Sequence, residues 1–224
     1  PPPSPPSLHS AGSYMYETRK MFLDQYEAAT RIRDNLPDDY QWYEKTDEST
    51  GKKKLRSVRL MQSLVAGLMT REEAPVLGLG NWSDAGTGKT LSAVLTMRML
   101  RRGSGARYTL VFCPNSVAEQ WAKHVSGIRD KKTGRVDVTD TYFPSRFATE
   151  VLSELPKTKS GAIAFSDSDA ASKVIVVNYE KLQGKTSETR LMNMLKWFGG
   201  KLDMVVFDEL HSVKVRFNPQ KGKN

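Results

Sequence analysis

Apolar positions along the chain follow two rhythms. In "YMYETRKMFLDQYEAATRIRDNL", Met15, Phe22, Tyr26, Ala29, Ile32 and Leu36 fall three, four or seven residues apart. That spacing predicts an amphipathic helix with one face packed onto something. "PDDYQWYEKTDESTGKKKL" follows as a polar connection, with Lys52, Lys53 and Lys54 in an exposed loop or a phosphate-binding patch. From about residue 57 short apolar runs alternate with helical patterns. Helices are expected over 58–69, 90–103, 116–125 and 189–200. Strands are expected over 74–82, 108–114, 173–179 and 201–209. Continuous apolar strands alternating with helices predict an α/β fold, a parallel sheet covered on both faces. The helix over 90–103 ends in Arg101, Arg102 and Gly103, a C-terminal signature.

Between about 127 and 172 the pattern weakens into Lys-, Ser- and Asp-rich sequence, read as an insertion or mobile loop with one candidate helix, "PSRFATEVLSEL". Residues 1–12, "PPPSPPSLHSAG", are expected to be a disordered Pro/Ser-rich terminus. The expected organisation is therefore 1–12 as terminus, 13–56 as helical extension and linker, and 57–224 as one α/β domain.

Composition sharpens this picture in three ways. The 224 residues are 38 % hydrophobic and 26 % charged, which suits a chain with a real core, and no run approaches a membrane span. Cys113 is the single cysteine, which rules out an internal disulfide or an all-Cys metal site and favours a reducing, intracellular compartment, cytoplasm or nucleus. Lys and Arg number 34 against 25 acidic residues, a net charge of +9, which fits either a polyanionic partner or a solvated basic surface. His9 and His124 have no partners at metal-ligand spacing.

Two short stretches carry chemistry. "SDAGTGKT" lies between an expected strand and an expected helix. Such a run cradles a triphosphate or caps a helix. Gly86 and Gly88 let backbone N–H groups turn towards phosphates, and the helix N-terminus favours the same anion. Lys89 is placed for the β- and γ-phosphates and the Thr90 hydroxyl for Mg2+. Asp84, Ala85, Gly86, Thr87, Gly88, Lys89 and Thr90 are thus the candidate ATP-binding segment. A glycine six positions before the lysine would complete the fullest form of the motif, and Ser83 stands there instead. The second stretch is "DMVVFDELH", in which Met204 to Phe207 carry Asp208 and Glu209 to the C-terminal tip of an expected buried strand. Ligands of parallel sheets bind at that edge. Asp208 is placed to hold Mg2+ through water and Glu209 to act as general base.

Asp208-Glu209-Leu210-His211 resembles the Asp-Glu-x-His box of superfamily 2 helicases and translocases. Several other stretches follow in that family's order. "VFCPNSVAEQW" resembles the segment after the second strand, which implies that Pro114, Asn115 and Ser116 lie near a nucleic-acid backbone. "VIVVNYEKL" resembles the strand and Tyr-containing turn before the acidic box in Swi/Snf-type ATPases. "VRLMQ" resembles the upstream element whose glutamine reads adenine, and Gln62 lies 27 residues before Lys89, as that branch implies. Gln62 is equally readable as an ordinary helix-surface residue. The resemblance spans roughly 57–216 and implies a P-loop RecA-like lobe. It gives His211 a role in coupling nucleotide state to neighbouring motifs. Trp121 and Tyr179 read as core packing before base stacking, and Cys113 as an apolar filler.

The resemblance implies ATP and Mg2+ as cofactors. It implies nucleic acid as partner, DNA and slightly the double-stranded form preferred, without a membrane. Arginines from a second RecA-like lobe, in cis or in trans, complete such sites. The sequence runs 13 residues past His211, so the chain reads as a fragment expected to bind Mg-ATP and hydrolyse it weakly alone. A non-motor P-loop interaction module, or a lobe completed by a partner, is the competing expectation. A P-loop kinase is a third, which needs neither the acidic box nor Gln62.

Overall fold

The computed structural model describes residues 20, 23–24, 27, 30, 42–47, 49–70, 78–83, 86–100, 107–130, 132–142, 147–160 and 172–210. These divide into two compact units, one within Pro1–Tyr43 and Ser57–Thr96, the other within Glu44–Arg56 and Met97–Asn224. The terminus 1–12 lies outside the described residues. So do Met15, Phe22, Tyr26, Ala29, Ile32 and Leu36, although Lys20, Leu23, Asp24, Glu27 and Thr30 are helical. The signature Arg101, Arg102 and Gly103 is likewise outside.

The stretch expected as a polar connection contains β1 (Trp42–Thr46) and β2 (Lys53–Ser57), paired as a two-stranded sheet. Its turn is closed from both sides by Asp47. The Asp47 N–H donates to the Lys52 carbonyl at 2.9 Å and the Gly51 N–H to the Asp47 carbonyl at 2.8 Å. The Asp47 carboxylate accepts from the Ser49 hydroxyl at 2.5 Å and from the Ser49 N–H at 2.9 Å, and these two bonds hold its pKa below the usual range. Sequence polarity hid the hairpin because both strands are short and every residue of β2 is exposed.

In the first unit, α1 (Leu60–Thr70) buries Gln62, Ser63, Ala66 and Gly67, one helical stripe of small and polar side chains. Next, α2 starts at Lys89 and runs to Leu100, with Leu91, Val94 and Leu95 at most 2 % exposed. The strand expected over 74–82 is not seen in its described part: residues 78–82 have no regular structure, and Trp82 is 92 % exposed. Gly78 and Gly80 account for this locally, since neither contributes a side chain to pack on a sheet face.

The second unit holds a four-stranded parallel sheet of β3 (Arg107–Cys113), β6 (Phe147–Val151), β7 (Ser172–Asn178) and β8 (Leu202–Phe207), in the order β6-β7-β3-β8. The run "SKVIVVN" is buried at all seven positions because β7 is interior to the sheet. Register aligns Leu110 with Ile175 and Val205, and Phe112 with Val177 and Phe207. Tyr108, Leu110, Phe112, Ile175 and Val177 then share one face and pack with Met194 and Phe198 of α4 (Ser187–Phe198) and with Leu152 and Leu155. Tyr108 lies against Phe198 with ring centroids 4.6 Å apart. Burying each such side chain contributes about 1.5–3 kcal/mol. At the first residue of β3, the Arg107 Nε–H donates to Asp203 at 2.7 Å, which ties β3 to β8 by charge as well as by pairing.

Two expectations change here. The described part of "PSRFATEVLSEL", from Phe147 on, is not a helix; residues 147–151 form β6, the edge strand among the described residues, in register with β7 from Phe147 opposite Ser172 to Val151 opposite Val176. Phe147, Thr149 and Val151 alternate with Ala148 and Glu150, a period-2 pattern that the open edge of β7 selects over helix. The strand bearing the acidic pair is not buried. Among the described residues β8 is the other edge of the sheet, partly exposed along its length, with Val205 40 % and Phe207 56 % exposed. Elsewhere in the supposed insertion, β4 (Ile128–Arg129) and β5 (Val136–Asp137) pair as a short antiparallel ribbon after α3 (Asn115–Val125). No helix among the described residues is long and apolar enough to cross a membrane.

Candidate nucleotide-binding site

The glycine loop is built by α1 and the start of α2. Gly86 has φ +76° and Gly88 φ +87°, backbone conformations that favour glycine because a Cβ would crowd the neighbouring peptide. Gly88 is required a second time: a Cβ there would lie 2.2 Å from Gln62 Nε2. Gln62, 5 % exposed, clamps the loop. Its Nε2 donates to the Thr87 carbonyl at 3.1 Å, and its Oε1 accepts from the Arg59 N–H at 2.9 Å. Gln62 is therefore not an ordinary surface residue. Each end of its amide retains a further hydrogen-bonding valence.

Lys89 opens α2, and its Nζ donates to the Ser83 carbonyl at 3.0 Å. Ser83, in the place of the absent first glycine, is itself held by Asn81, whose Oδ1 accepts from the Ser83 hydroxyl at 2.6 Å and from its N–H at 3.2 Å. The first turn of α2 has no acidic residue to compete with an anion at its N-terminus. Thr90 lies in that turn, half-buried. This donor set fits a magnesium–polyphosphate group: turned glycine amides, an ammonium resting on a backbone carbonyl, and a hydroxyl at the helix start. Asp84 and Ala85 lie outside the described residues.

At the C-terminal ends of β3, β7 and β8 a second cluster forms within the other unit. The Asp208 N–H donates to the Phe112 carbonyl at 2.8 Å, which extends the pairing of β8 by one bond past Phe207. The Asp208 carboxylate Oδ2 accepts from the Trp121 indole N–H at 2.8 Å. The Asp208 carbonyl accepts from the Tyr179 hydroxyl at 2.9 Å. Burial, then the Asp208 charge, pushes the Tyr179 hydroxyl up to about 12, so it stays a donor at neutral pH. Glu209 follows with φ +52°, the one non-glycine residue in the left-handed region among those described. An L-residue there is strained by about 1–2 kcal/mol, and such strain collects at functional positions. His211 lies outside the described residues.

The same sheet end positions the candidate nucleic-acid segment. Pro114 precedes α3, while Asn115 and Ser116 are exposed in its first turn. The Asn178 Nδ2–H donates to Asn115 Oδ1 at 2.7 Å, and Glu180 Oε1 accepts from the Asn115 N–H at 3.4 Å. Cys113 is buried beside them. Burial first, then the Asp208 and Glu180 charges, pushes its thiol up to about 12, the behaviour of an inert filler. His124 stacks on Tyr142 with centroids 5.0 Å apart, and its Nδ1 lies 3.1 Å from the Asp140 carbonyl.

Comparison with known families adds one decisive finding. The family model described as "Type III restriction enzyme, res subunit" matches residues 25–219. The chain belongs to this family. As a restriction-enzyme res-subunit relative it is a superfamily 2 helicase-like ATP-binding lobe with a RecA-like α/β fold, of the ATP-hydrolysing kind. Helicase-like ATPase domains of this type use ATP and Mg2+ and point to nucleic acid as partner. Curated proteins and solved structures gave no match.

The glycine loop and the acidic pair are readable as motifs in the sequence, whereas the groups that hold them are not. Trp121 is core, as expected, at 3 % exposure, yet it also carries a polar bond to Asp208. A buried indole requires a partner for its N–H, and that requirement was the available signal. Nothing in the spacing named Asp208, 87 residues away, as the partner.

Proposed function

We propose that this res-subunit relative is the ATP-binding lobe of a nucleic-acid-dependent ATPase, a helicase or double-stranded DNA translocase. The observation that carries the reading is the left-handed glycine loop, clamped by Gln62 and opening a helix at Lys89. The family's description as a restriction-enzyme subunit supports DNA as the nucleic acid. The net charge of +9 supports binding through phosphates, which is sequence-independent and salt-sensitive.

In this mechanism the glycine-loop amides and Lys89 hold the β- and γ-phosphates, and Gln62 turns a remaining valence to the adenine edge. Thr90 would hold Mg2+, which supplies neutralising charge as the terminal phosphate departs, and Asp208 is the carboxylate that would hold Mg2+ through water. Glu209 takes a proton from the attacking water as the new O–P bond forms, and the bond from phosphorus to the bridging oxygen of ADP breaks. His211 passes nucleotide state to neighbouring motifs, and Pro114, Asn115 and Ser116 face the nucleic-acid backbone. Arginines from a second RecA-like lobe, in the same chain or a partner, complete the site and are worth about 10³–10⁵ in rate. The Swi/Snf-like spacing of Gln62 and Lys89 favours tracking along duplex DNA over strand separation.

The test is ATP hydrolysis by the complete protein with and without double-stranded DNA. Stimulation by DNA, abolished in Lys89→Ala and in Glu209→Gln, is expected. DNA-stimulated turnover retained in either variant would overturn the role given to that residue.

A further inference from the structure

The carboxylate of Asp208 does not stand alone at the strand end. Trp121 lies in the middle of α3, and its side chain is nearly sealed from solvent. The indole nitrogen has one hydrogen and no acceptor capacity, so its bond to Asp208 Oδ2 fixes which carboxylate oxygen is taken. Two further bonds fix the backbone from which that side chain projects: Asp208 N–H to the Phe112 carbonyl and Tyr179 hydroxyl to the Asp208 carbonyl. Main chain and side chain are thus held by three separate elements, β3, the turn Tyr179–Leu182 and α3. Core packing does not require this. A Phe ring would fill most of the same space without an N–H.

The helix that supplies the indole also begins at Asn115, tied to the end of β7 by Asn178 and to the turn after it by Glu180. Residues 115 and 121 belong to one continuous helix, so a displacement of its first turn moves the indole as well. A bond to a charged acceptor contributes more than a neutral one and is lost steeply with misalignment.

We propose that Trp121 is a positioning residue, whose indole N–H holds the Asp208 carboxylate in one orientation for Mg2+ and links that carboxylate rigidly to the Pro114–Ser116 segment. This rests on the reading of Asp208 as a carboxylate of the metal site. Without the N–H the carboxylate rotates among orientations and must be ordered when the metal arrives. The nucleotide itself, bound through its phosphates and base, is unaffected.

The test compares affinity for a fluorescent ATP analogue in excess Mg2+ and in EDTA, in the full chain. The ratio of the two dissociation constants reports the metal's contribution alone. Trp121→Phe is expected to reduce that ratio about tenfold while the EDTA value stays unchanged. A folding defect would instead move both values. Replacing Trp121 with benzothienylalanine, which keeps the bicyclic shape and lacks the N–H, should reproduce the loss and guards against a packing effect of Phe. Asp208→Asn separates the two ideas. If Asp208→Asn collapses the ratio but neither Trp121 variant changes it, the positioning role is overturned and the metal site stands. If Asp208→Asn also leaves it unchanged, the metal-site reading fails, and the positioning role with it.

Discussion

Replacing Gly88 with alanine should disable the glycine loop through Gln62, and the size of the effect follows from two observations. The backbone at Gly88 has φ +87°, which costs an L-residue about 1–2 kcal/mol. The new Cβ would sit 2.2 Å from Gln62 Nε2, so the amide must leave. Leaving breaks its bonds to the Thr87 carbonyl and the Arg59 N–H, each contributing about 0.5–1.5 kcal/mol. Together Gly88→Ala should cost about 2–5 kcal/mol in the loop. In a Gln62→Ala background the two bonds are already gone and the space is open, so the same substitution should cost only the backbone term, about 1–2 kcal/mol. Chemical denaturation of the four proteins of this cycle, together with their ATP-analogue affinities, measures the coupling. A coupling of about 1–3 kcal/mol is expected. If Gly88→Ala costs the same in both backgrounds within about 0.5 kcal/mol, Gln62 does not clamp the loop.

Further outcomes follow from the same geometry. Lys89→Ala should lower ATP-dependent turnover of the complete protein by roughly 10²-fold or more, with the thermal midpoint nearly unchanged, as read by phosphate release and melting. Glu209→Gly should be more stable than Glu209→Ala by about 1 kcal/mol, because only glycine relieves φ +52°; equal midpoints would remove the claim of strain. Cys113 should resist alkylation in the folded chain at pH 8 and react fully once denaturant is added, since its folded pKa is pushed up to about 12. The same shift makes a linkage prediction. A raised folded pKa means that the unfolded thiol ionises first, so the Cys113 contribution is full below the ordinary thiol pKa and is lost as pH rises towards 12. Cys113→Ala should therefore flatten the loss of stability over that alkaline window, measured by denaturation at stepped pH.

What the sequence determined was local. Glycines flanking Thr87, a lysine and a threonine at a helix start, and four apolar residues ending in Asp-Glu are chemistry written within a few positions. The buried strand β7 was legible for the same reason, since seven enclosed positions leave a continuous apolar run. The α/β class followed from the alternation of such runs with helical periods. What only the tertiary structure decided was non-local. Residues 147–151 could satisfy either a helix or a strand by pattern, and the open edge of β7 chose strand. β8 looked fully buried because its residues are apolar, yet it is partly exposed and ends the sheet among the described residues, and position in a sheet is set by pairing order, which apolar content does not encode. Gln62 could be assigned to the loop only when α1 brought its amide to Thr87, 25 residues on. Trp121 met Asp208 only because α3 and the end of β8 converge in space, and a directional bond between residues 87 apart leaves no periodic trace in the chain that makes it.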